Sequence, residues 1–232
     1  MQASWPLKKQ FIRMKKGIYL LILFFSTIGS GAAQEIDSDL LAIKKRMDAV
    51  QQFTATIVLD LEVPFINMPT KMAKVNYAKG KKMAFSSDDF VMLPKRGLDF
   101  SLSEIFDYPF ITVDRGMEER QGKSVKVINV IPTDKRSDLA LATLYMDVAA
   151  KRIVASEITT RKDGSYVLAM QYGSVRDILP NYIEANFAIE RLKIPLNFMG
   201  KDTKIDRKKM QSMETKNGKI KMKISNYVIK YG

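Results

Sequence analysis

The 232-residue chain carries 38 Lys/Arg against 25 Asp/Glu, a formal net charge of +13, and it contains no histidine and no cysteine. Without cysteine, a packed core and not disulfides must stabilise a domain of this size. Without histidine and cysteine the chain also lacks the commonest general base, the commonest metal ligand and the thiolate nucleophile, which argues against catalysis.

The first 33 residues predict a secretory signal peptide. They hold five Lys/Arg and no acid, an apolar run at Ile18–Ile28, and then small residues, of which Gly31 and Ala33 suit cleavage before Gln34. The run is shorter than the roughly 20 residues of a membrane-spanning helix. We therefore expect cleavage and a periplasmic location.

Translation can start at Met1 or at Met14, since Met14-Lys15-Lys16 is a sufficient basic region by itself. No cysteine follows the apolar run, so lipidation there is not expected. Residues 34–232 are long enough for one domain with a sizeable core, and we predict a single domain.

Positive charge is concentrated at the C-terminus. Residues 1–33 hold five of the basic residues, residues 201–232 hold ten basic and three acidic residues, and the body between them is almost neutral. A nucleic-acid partner is therefore not predicted. The favoured interpretation is an exposed, self-repelling strand edge, and the alternative is a site for an anionic membrane or lipid headgroup.

Ile36–Gln52 is predicted as an amphipathic helix, with Asp37 or Ser38 as its N-cap. Its apolar face is formed by residues at three- and four-residue steps, namely Ile36, Leu40, Ile43, Met47 and Val50. Short β-strands are predicted next, at Phe53–Val63, Lys71–Tyr77, Lys82–Ser86 and Phe90–Leu93, with Gly80 in a hairpin turn.

Leu98–Phe110 does not alternate and is rich in aromatic residues, which predicts a short helix capped by Ser101 or Ser103. Core filling is the ordinary role of such a segment. Its alternative role is a lid that covers an apolar sheet face and moves away from it.

A regular antiparallel meander is predicted after a strand that we divide into Ile111–Asp114 and Met117–Gln121. Its strands are Val125–Pro132, Leu139–Met146, Ile153–Arg161 and Tyr166–Tyr172, and the third turn is Lys162-Asp163-Gly164-Ser165. Both faces of these strands carry apolar residues. One face must therefore be covered by helices or by a bound apolar ligand.

The C-terminal part is predicted to contain a strand at Tyr182–Ile194 and a loose segment at Pro195–Asp206. A last hairpin is predicted from Gln211–Thr215 and Lys219–Tyr231, because Asn217-Gly218 between them is a strong turn signal.

Two pairs of adjacent acids, Asp88-Asp89 and Glu118-Glu119, are the remaining candidates for catalysis. Neighbouring residues of a strand point to opposite faces, so neither pair converges on one substrate atom. We interpret them as solvated loop and strand-end residues and predict no enzyme, no metal and no cofactor. A hydrolase that uses Asp88 or Glu118 is the least favoured hypothesis.

Three segments, Leu40–Val63, Ala73–Ser87 and Leu141–Gly173, resemble the periplasmic outer-membrane lipoprotein carrier (LolA-like) family. The resemblance implies a mainly β fold: an antiparallel half-barrel, or unclosed β-barrel, capped by an N-terminal helix and a short mid-chain helix. It also implies that an apolar face receives the acyl chains of a lipoprotein.

From this resemblance we select candidates for contact with acyl chains: Phe85, Met92, Phe106, Phe110, Tyr145 and Met170. The family has an arginine near the second-third strand hairpin that keeps the lid shut. Here Lys79 stands at about that place, and a lysine offers a point charge where arginine offers a planar fork. Lys79 is therefore our candidate for the lid lock.

The leading hypothesis is a monomeric, non-catalytic carrier of lipoproteins or other lipids towards the outer membrane. Its expected partners are acyl chains, an inner-membrane releasing complex and an outer-membrane acceptor. The alternative is an envelope module of the same fold that senses a lipid or binds a partner protein.

Overall fold

The computed structural model describes residues 36–81, 83–87, 103–120, 122–162, 164–189 and 202–232. Ile36–Gly232 forms one compact unit. The predicted signal peptide, the predicted strand Phe90–Leu93 and the acids Asp88 and Asp89 lie outside the described residues. Within the described part of the chain, no helix is both long enough and apolar enough to cross a bilayer.

The chain folds mainly into β-strands with three helices among the described residues. The helices are α1 (Ser38–Asp48), α2 (Ser103–Phe106) and α3 (Arg207–Ser212). The strands are β1 (Val50–Glu62), β2 (Ile66–Asn67), β3 (Lys71–Ala78), β4 (Ala84–Ser86), β5 (Phe110–Arg120), β6 (Lys123–Pro132), β7 (Leu139–Asp147), β8 (Arg152–Thr160), β9 (Ser165–Gln171), β10 (Tyr182–Ile189), β11 (Lys204–Ile205) and β12 (Lys216–Tyr231).

Ten strands form one antiparallel sheet in the order β4-β3-β1-β12-β10-β9-β8-β7-β6-β5. The outermost strands, β4 and β5, do not pair with each other, so the sheet is not closed. An N-terminal helix and a short mid-chain helix accompany it. This confirms the predicted fold, an unclosed antiparallel barrel with two helical caps.

The sheet has an inner face, which we define as the face on which α1 lies, and an opposite outer face. Leu40 and Ile43 of α1 pack in one cluster with Ile128 and Leu144, which are paired across β6 and β7. The neighbouring pair Val127 and Tyr145 belongs to a separate cluster, as alternation along a strand requires. Apolar residues therefore occupy both faces of the meander, as predicted.

A second large cluster lies at the β1 end of the inner face. Its buried members come from β1, β3, β9, β10 and β12 and include Phe53, Ile57, Leu168, Ile183 and Met222. Met47 of α1 and Ile158 of β8 contact both large clusters. The inner face is therefore one continuous apolar surface.

The predicted first helix is correct at its start and too long at its end. Asp37 is the N-cap and accepts hydrogen bonds from the backbone N–H groups of Asp39 and Leu40, both at 3.0 Å. The helix ends at Asp48, and Val50 already belongs to β1. Helical periodicity continues through Val50 in the sequence, but pairing of β1 with β3 and β12 takes these residues into the sheet.

The predicted C-terminal hairpin is wrong. Asn217 and Gly218 lie inside the single long strand β12, opposite Ala188 and Phe187 of β10, and Gln211 belongs to α3. Because β12 pairs with β10 on one side and β1 on the other, it is also not the exposed sheet edge that its lysines suggested. At Asn217 and Gly218 the ladder with β10 overrides the local Asn-Gly turn preference.

β5 is one strand where the sequence predicted two. Its register with β6 shifts between Asp114 and Gly116, and Gly116 takes a φ of 84° at this bulge. In the segment predicted as loose, β11 pairs with β2 and α3 follows it. These two elements pack over a small cluster centred on Phe65.

Candidate functional site

A small cavity lies where the C-terminal turn of α1 meets the β1–β3 end of the inner face. Its volume is about 20 Å³, which is roughly the space of one water molecule. Its walls come from both layers, and its lining residues are Met47, Asp48, Val50, Phe53, Tyr77, Met83 and Leu179. We call it the α1 cavity.

Two aromatic side chains, Phe53 and Tyr77, line the α1 cavity on the sheet side. Phe53 stacks on Tyr77 with ring centroids 5.1 Å apart, and Tyr227 meets Phe53 edge-on at 5.7 Å. The Tyr227 hydroxyl donates to the Pro180 carbonyl at 2.8 Å, which satisfies the polar end of a buried ring. Burial raises the Tyr227 pKa well above its ordinary value, so this group stays neutral.

Methionines border the cavity on the helix side and on the loop side. Met47 belongs to α1 and Met83 to the segment just before β4, and both are partly buried against the inner cluster. Their unbranched side chains adapt to irregular shapes at little cost. These two methionine side chains can therefore change rotamer without breaking a hydrogen bond.

Lys79 lies beside the cavity and contacts α1. Its Nζ donates to the Asp48 carbonyl at 2.9 Å, and its backbone N–H donates to the Gln51 carbonyl at 2.8 Å. A cation at the C-terminal end of a helix also interacts favourably with the helix dipole. The described contacts of the lid-lock candidate are therefore with the end of α1 and the start of β1, and not with α2.

Arg46, on the same turn of α1, also connects the helix to the rest of the protein. It was not predicted as a functional residue from the sequence. Its guanidinium donates to the Arg176 carbonyl at 2.8 Å and the Asp177 carbonyl at 3.2 Å. It also donates to the carbonyls of Ala150 and Lys151 in the turn between β7 and β8. One planar cation thus joins the helix to two loops.

Lys126 holds the other end of α1. From β6 its Nζ contacts Asp37 at 2.7 Å and Asp39 at 2.6 Å, and the Asp37 backbone N–H donates to Thr112 Oγ1 at 3.0 Å. Burial alone would raise the Asp37 pKa, but the bond from Lys126 and the cap bonds outweigh it, and the pKa is lowered. Hydrogen bonds to these two aspartates raise the Lys126 pKa.

The structure brings several predicted contact residues to the inner face. Phe85 and Met170 pack against the cluster at the β1 end. Phe106 and Phe110 pack against the cluster under α1, with their rings edge-to-face at 5.1 Å. Met92 lies outside the described residues.

Tyr145 is placed on the outer face, and this corrects its selection as a lining residue. Its ring lies 3.5 Å under the Arg120 guanidinium, and its hydroxyl donates to Glu157 at 2.8 Å. Apolar residues occupy both the odd-numbered and the even-numbered positions of β7. The sequence therefore could not show which of the two sets faces α1. Pairing of Tyr145 with Val127 assigns it to the outer cluster.

Among the described residues, Glu118 and Glu119 do not belong to any group of three or more acids that could hold a metal ion. Glu118 contacts Arg120 at 3.4 Å, while Arg120 also contacts Glu157 at 3.1 Å. These side chains form an ion-pair network on the surface, as solvated strand ends commonly do.

No protein-family model matches the sequence, and no characterised relative matches it either. Among solved structures, a DUF1329 family protein from Desulfovibrio piger is 12% identical, with a TM-score of 0.50 over 84% of this chain and 92% of the other. This likeness concerns the fold alone.

Two further solved structures are similar to the chain at TM-scores below 0.5. One, from Vibrio parahaemolyticus, is named as an outer membrane lipoprotein-sorting protein domain; it is 15% identical, with a TM-score of 0.48 over 83% of this chain and 92% of that one. The other, a LolA superfamily protein from Nitrosomonas europaea, is 8% identical, with a TM-score of 0.46 over 82% and 93%.

Proposed function

We propose that the chain is a non-catalytic carrier that binds acyl chains of a lipid or lipoprotein between α1 and the inner face of the sheet. The observation that supports this proposal best is the α1 cavity. It interrupts an otherwise continuous apolar surface, and it lies between a helix held at its ends by polar contacts and a sheet face lined by Phe53 and Tyr77.

The described conformation is the closed one in this proposal. About 20 Å³ does not hold an acyl chain, so the C-terminal turn of α1 must move away from the sheet when a chain enters. Each hydrogen bond that ties this turn contributes about 1 kcal/mol. An acyl chain gains on the order of 0.8 kcal/mol per buried CH₂ group, so burial of a long chain outweighs these bonds.

Phe85 and Met170 are proposed to line the enlarged site at the β1 end, and Phe106 and Phe110 under α1. Met92 remains a candidate from the sequence alone. In the cell, we propose that the exported carrier receives its cargo from a releasing complex at the inner membrane and passes it to an acceptor at the outer membrane.

The binding site is tested by filling the cavity. Met83→Trp places a bulkier, aromatic side chain into the α1 cavity. We expect the affinity for a fluorescent fatty-acid probe to fall roughly tenfold or more. Met72→Trp is the matched control, because Met72 lies on the neighbouring strand β3 and is 59% exposed. Equal affinities for both variants and the wild type would reject this site.

The carrier role is tested with protein purified gently from its own envelope. Native mass spectrometry is expected to find bound acylated molecules, and protein that is consistently empty would contradict the proposal. Pull-down from envelope extract then separates the two hypotheses: capture of a membrane releasing complex supports a carrier, and capture of a signalling protein supports the sensing module.

A further inference from the structure

A basic segment, which we define as Lys204–Met213, extends from one end of the sheet and is not part of the α1 cavity. It consists of β11, α3 and the flanking residues. Its basic side chains are Lys204, Arg207, Lys208 and Lys209, and all four are exposed. Asp206 is the single acid within the segment.

The basic segment is fixed to the body of the protein. Lys71, only 1% exposed, contacts Asp202 at 2.5 Å just before the segment begins. The Asp206 backbone N–H donates to the Phe65 carbonyl at 2.9 Å, and β11 pairs with β2. An ordered platform therefore presents the four cations.

The carboxylates of Asp202 and Asp206 are engaged by other groups. Asp202 is engaged by Lys71, and the Asp206 carboxylate accepts the backbone N–H of Lys209 at 3.0 Å as the cap of α3. None of the four basic side chains forms an ion pair with another residue of the described ranges. By contrast, Lys219 and Lys221 of β12 are paired with Glu184 and Glu62.

Apolar side chains accompany the charges. Ile205, Met210 and Met213 pack against the cluster of Val63, Phe65 and Ile66. All three remain partly exposed. Cations beside partly exposed apolar groups are typical of segments that lie at the headgroup level of a bilayer. The segment contains no aromatic side chain on which a nucleic-acid base could stack.

We propose that the basic segment docks the protein on the anionic headgroups of a lipid bilayer. Each exposed lysine or arginine near such a surface strengthens binding roughly fivefold, and the attraction weakens as salt increases. Ile205, Met210 and Met213 add shallow apolar contact. This surface lies apart from the α1 cavity, so docking and acyl-chain binding are separable.

The proposal is tested by co-sedimentation with vesicles. We expect the protein to bind vesicles of phosphatidylglycerol and phosphatidylcholine, to bind phosphatidylcholine alone much more weakly, and to dissociate as salt is added. Replacing the four cations together, by Lys204→Gln, Arg207→Gln, Lys208→Gln and Lys209→Gln, should weaken binding roughly 600-fold.

A matched control changes net charge equally at other places. Lys123, Lys151, Arg161 and Lys162 are also three lysines and one arginine, and all are exposed. Their replacement by Gln should leave most of the binding intact. Equal losses in both quadruple variants, or no loss in the first, would overturn the proposal.

A second measurement does not depend on the charge variants. Because the chain has no cysteine, a polarity-sensitive dye can be placed at Gln211→Cys in α3 or at Ser124→Cys in β6. The first dye should report a less polar environment with anionic vesicles and the second should not. Heparin or duplex DNA that competes better than vesicles would instead indicate a polyanion site and overturn the proposal.

Docking and acyl binding can fail separately. In the absence of vesicles, the first quadruple variant should bind the fluorescent fatty-acid probe as well as the wild type does. Loss of vesicle binding with retained probe binding supports the docking surface, whereas retained docking in a protein that binds no probe would contradict only the carrier function.

Discussion

Arg46 joins the C-terminal turn of α1 to two loops that are more than 100 residues away in the sequence. All its described hydrogen bonds are to backbone carbonyls, in the β7–β8 turn and at Arg176 and Asp177. A guanidinium can donate several hydrogen bonds in one plane, which a lysine cannot do. This side chain therefore fixes the C-terminal turn of α1, whose residues Met47 and Asp48 line the α1 cavity.

Arg46→Ala is expected to lower the free energy of unfolding by about 1–3 kcal/mol, because it removes charge-assisted hydrogen bonds. Arg46→Lys should recover only a small part of this loss. Urea denaturation followed by circular dichroism provides the measurement, with Lys45→Ala, the exposed neighbour in the same helix, as the control. Equal effects at both positions would contradict the assigned role.

Gly218 is a second position where one residue controls the packing. A Cβ atom there would run into the Phe187 ring and would lie 2.6 Å from Val63 Cγ2. The ring of Phe187 thus covers the backbone of β12 directly, which only glycine allows.

Gly218→Ala is expected to destabilise the protein by roughly 1–3 kcal/mol, because Phe187 and Val63 must shift. Thermal and urea unfolding give the measurement. Asn217→Ala, one residue earlier in the same strand and exposed, should change stability much less. A neutral Gly218→Ala variant would show that this end of the inner face is loosely packed.

Among the elements, α1 is the one whose position depends most on polar contacts. Leu40 and Ile43 are completely buried under it, but its two ends are held by Lys126, Lys79 and Arg46. Since the helix is only 11 residues long, it would be marginal in isolation and depends on these tertiary contacts.

Acid is expected to loosen the N-terminal end of α1. The Asp37 pKa is lowered in the folded protein from 3.8, so its stabilising contribution is complete above about pH 5 and is lost as pH falls through the folded pKa. Unfolding free energies of wild type and Asp37→Asn, measured from neutral to acid pH, should therefore converge as the pH falls through the lowered pKa of Asp37. A constant difference across this range would contradict the prediction.

The sequence of β12 does not show whether this strand lies at the edge or in the middle of the sheet. Its lysines alternate with Ile220, Met222 and Ile224, as a strand with one buried face requires. The alternation identifies the strand, but it does not say whether one or two neighbours pair with it. Lys219 and Lys221 are accommodated in mid-sheet by Glu184 of β10 and Glu62 of β1.

For the whole molecule, the unclosed sheet leaves two edge strands that could associate with other copies. β4 is only three residues long, and β5 has a bulge between Asp114 and Gly116 and exposed charged residues near its end. Short, bulged and charged edges oppose edge-to-edge pairing.

We therefore expect a monomer across the micromolar concentration range. Size-exclusion chromatography with light scattering measures the mass directly. A dimer whose fraction rises with protein concentration would show that an edge or the inner face is used between copies, and the closed α1 cavity would then need a different explanation.

The sequence determined the strand-rich class, the first helix with its Asp37 cap and the order of the meander, because alternation and turn residues are local properties. Its resemblance to a known family supplied the unclosed barrel and the covered face, and the structure confirms this fold. Phe85, Phe106, Phe110 and Met170 pack against the inner clusters, and their contact with acyl chains stays a prediction.

Only the tertiary structure decided which side of each strand faces α1. When a strand carries apolar residues on both faces, its sequence does not show which face the helix covers. Tyr145 was therefore selected for the wrong face. The contacts of Arg46 with distant carbonyls leave no pattern along the chain, because a backbone carbonyl is present at every position. Likewise, Asn217-Gly218 prefers a turn locally, and only pairing with β10 makes it strand.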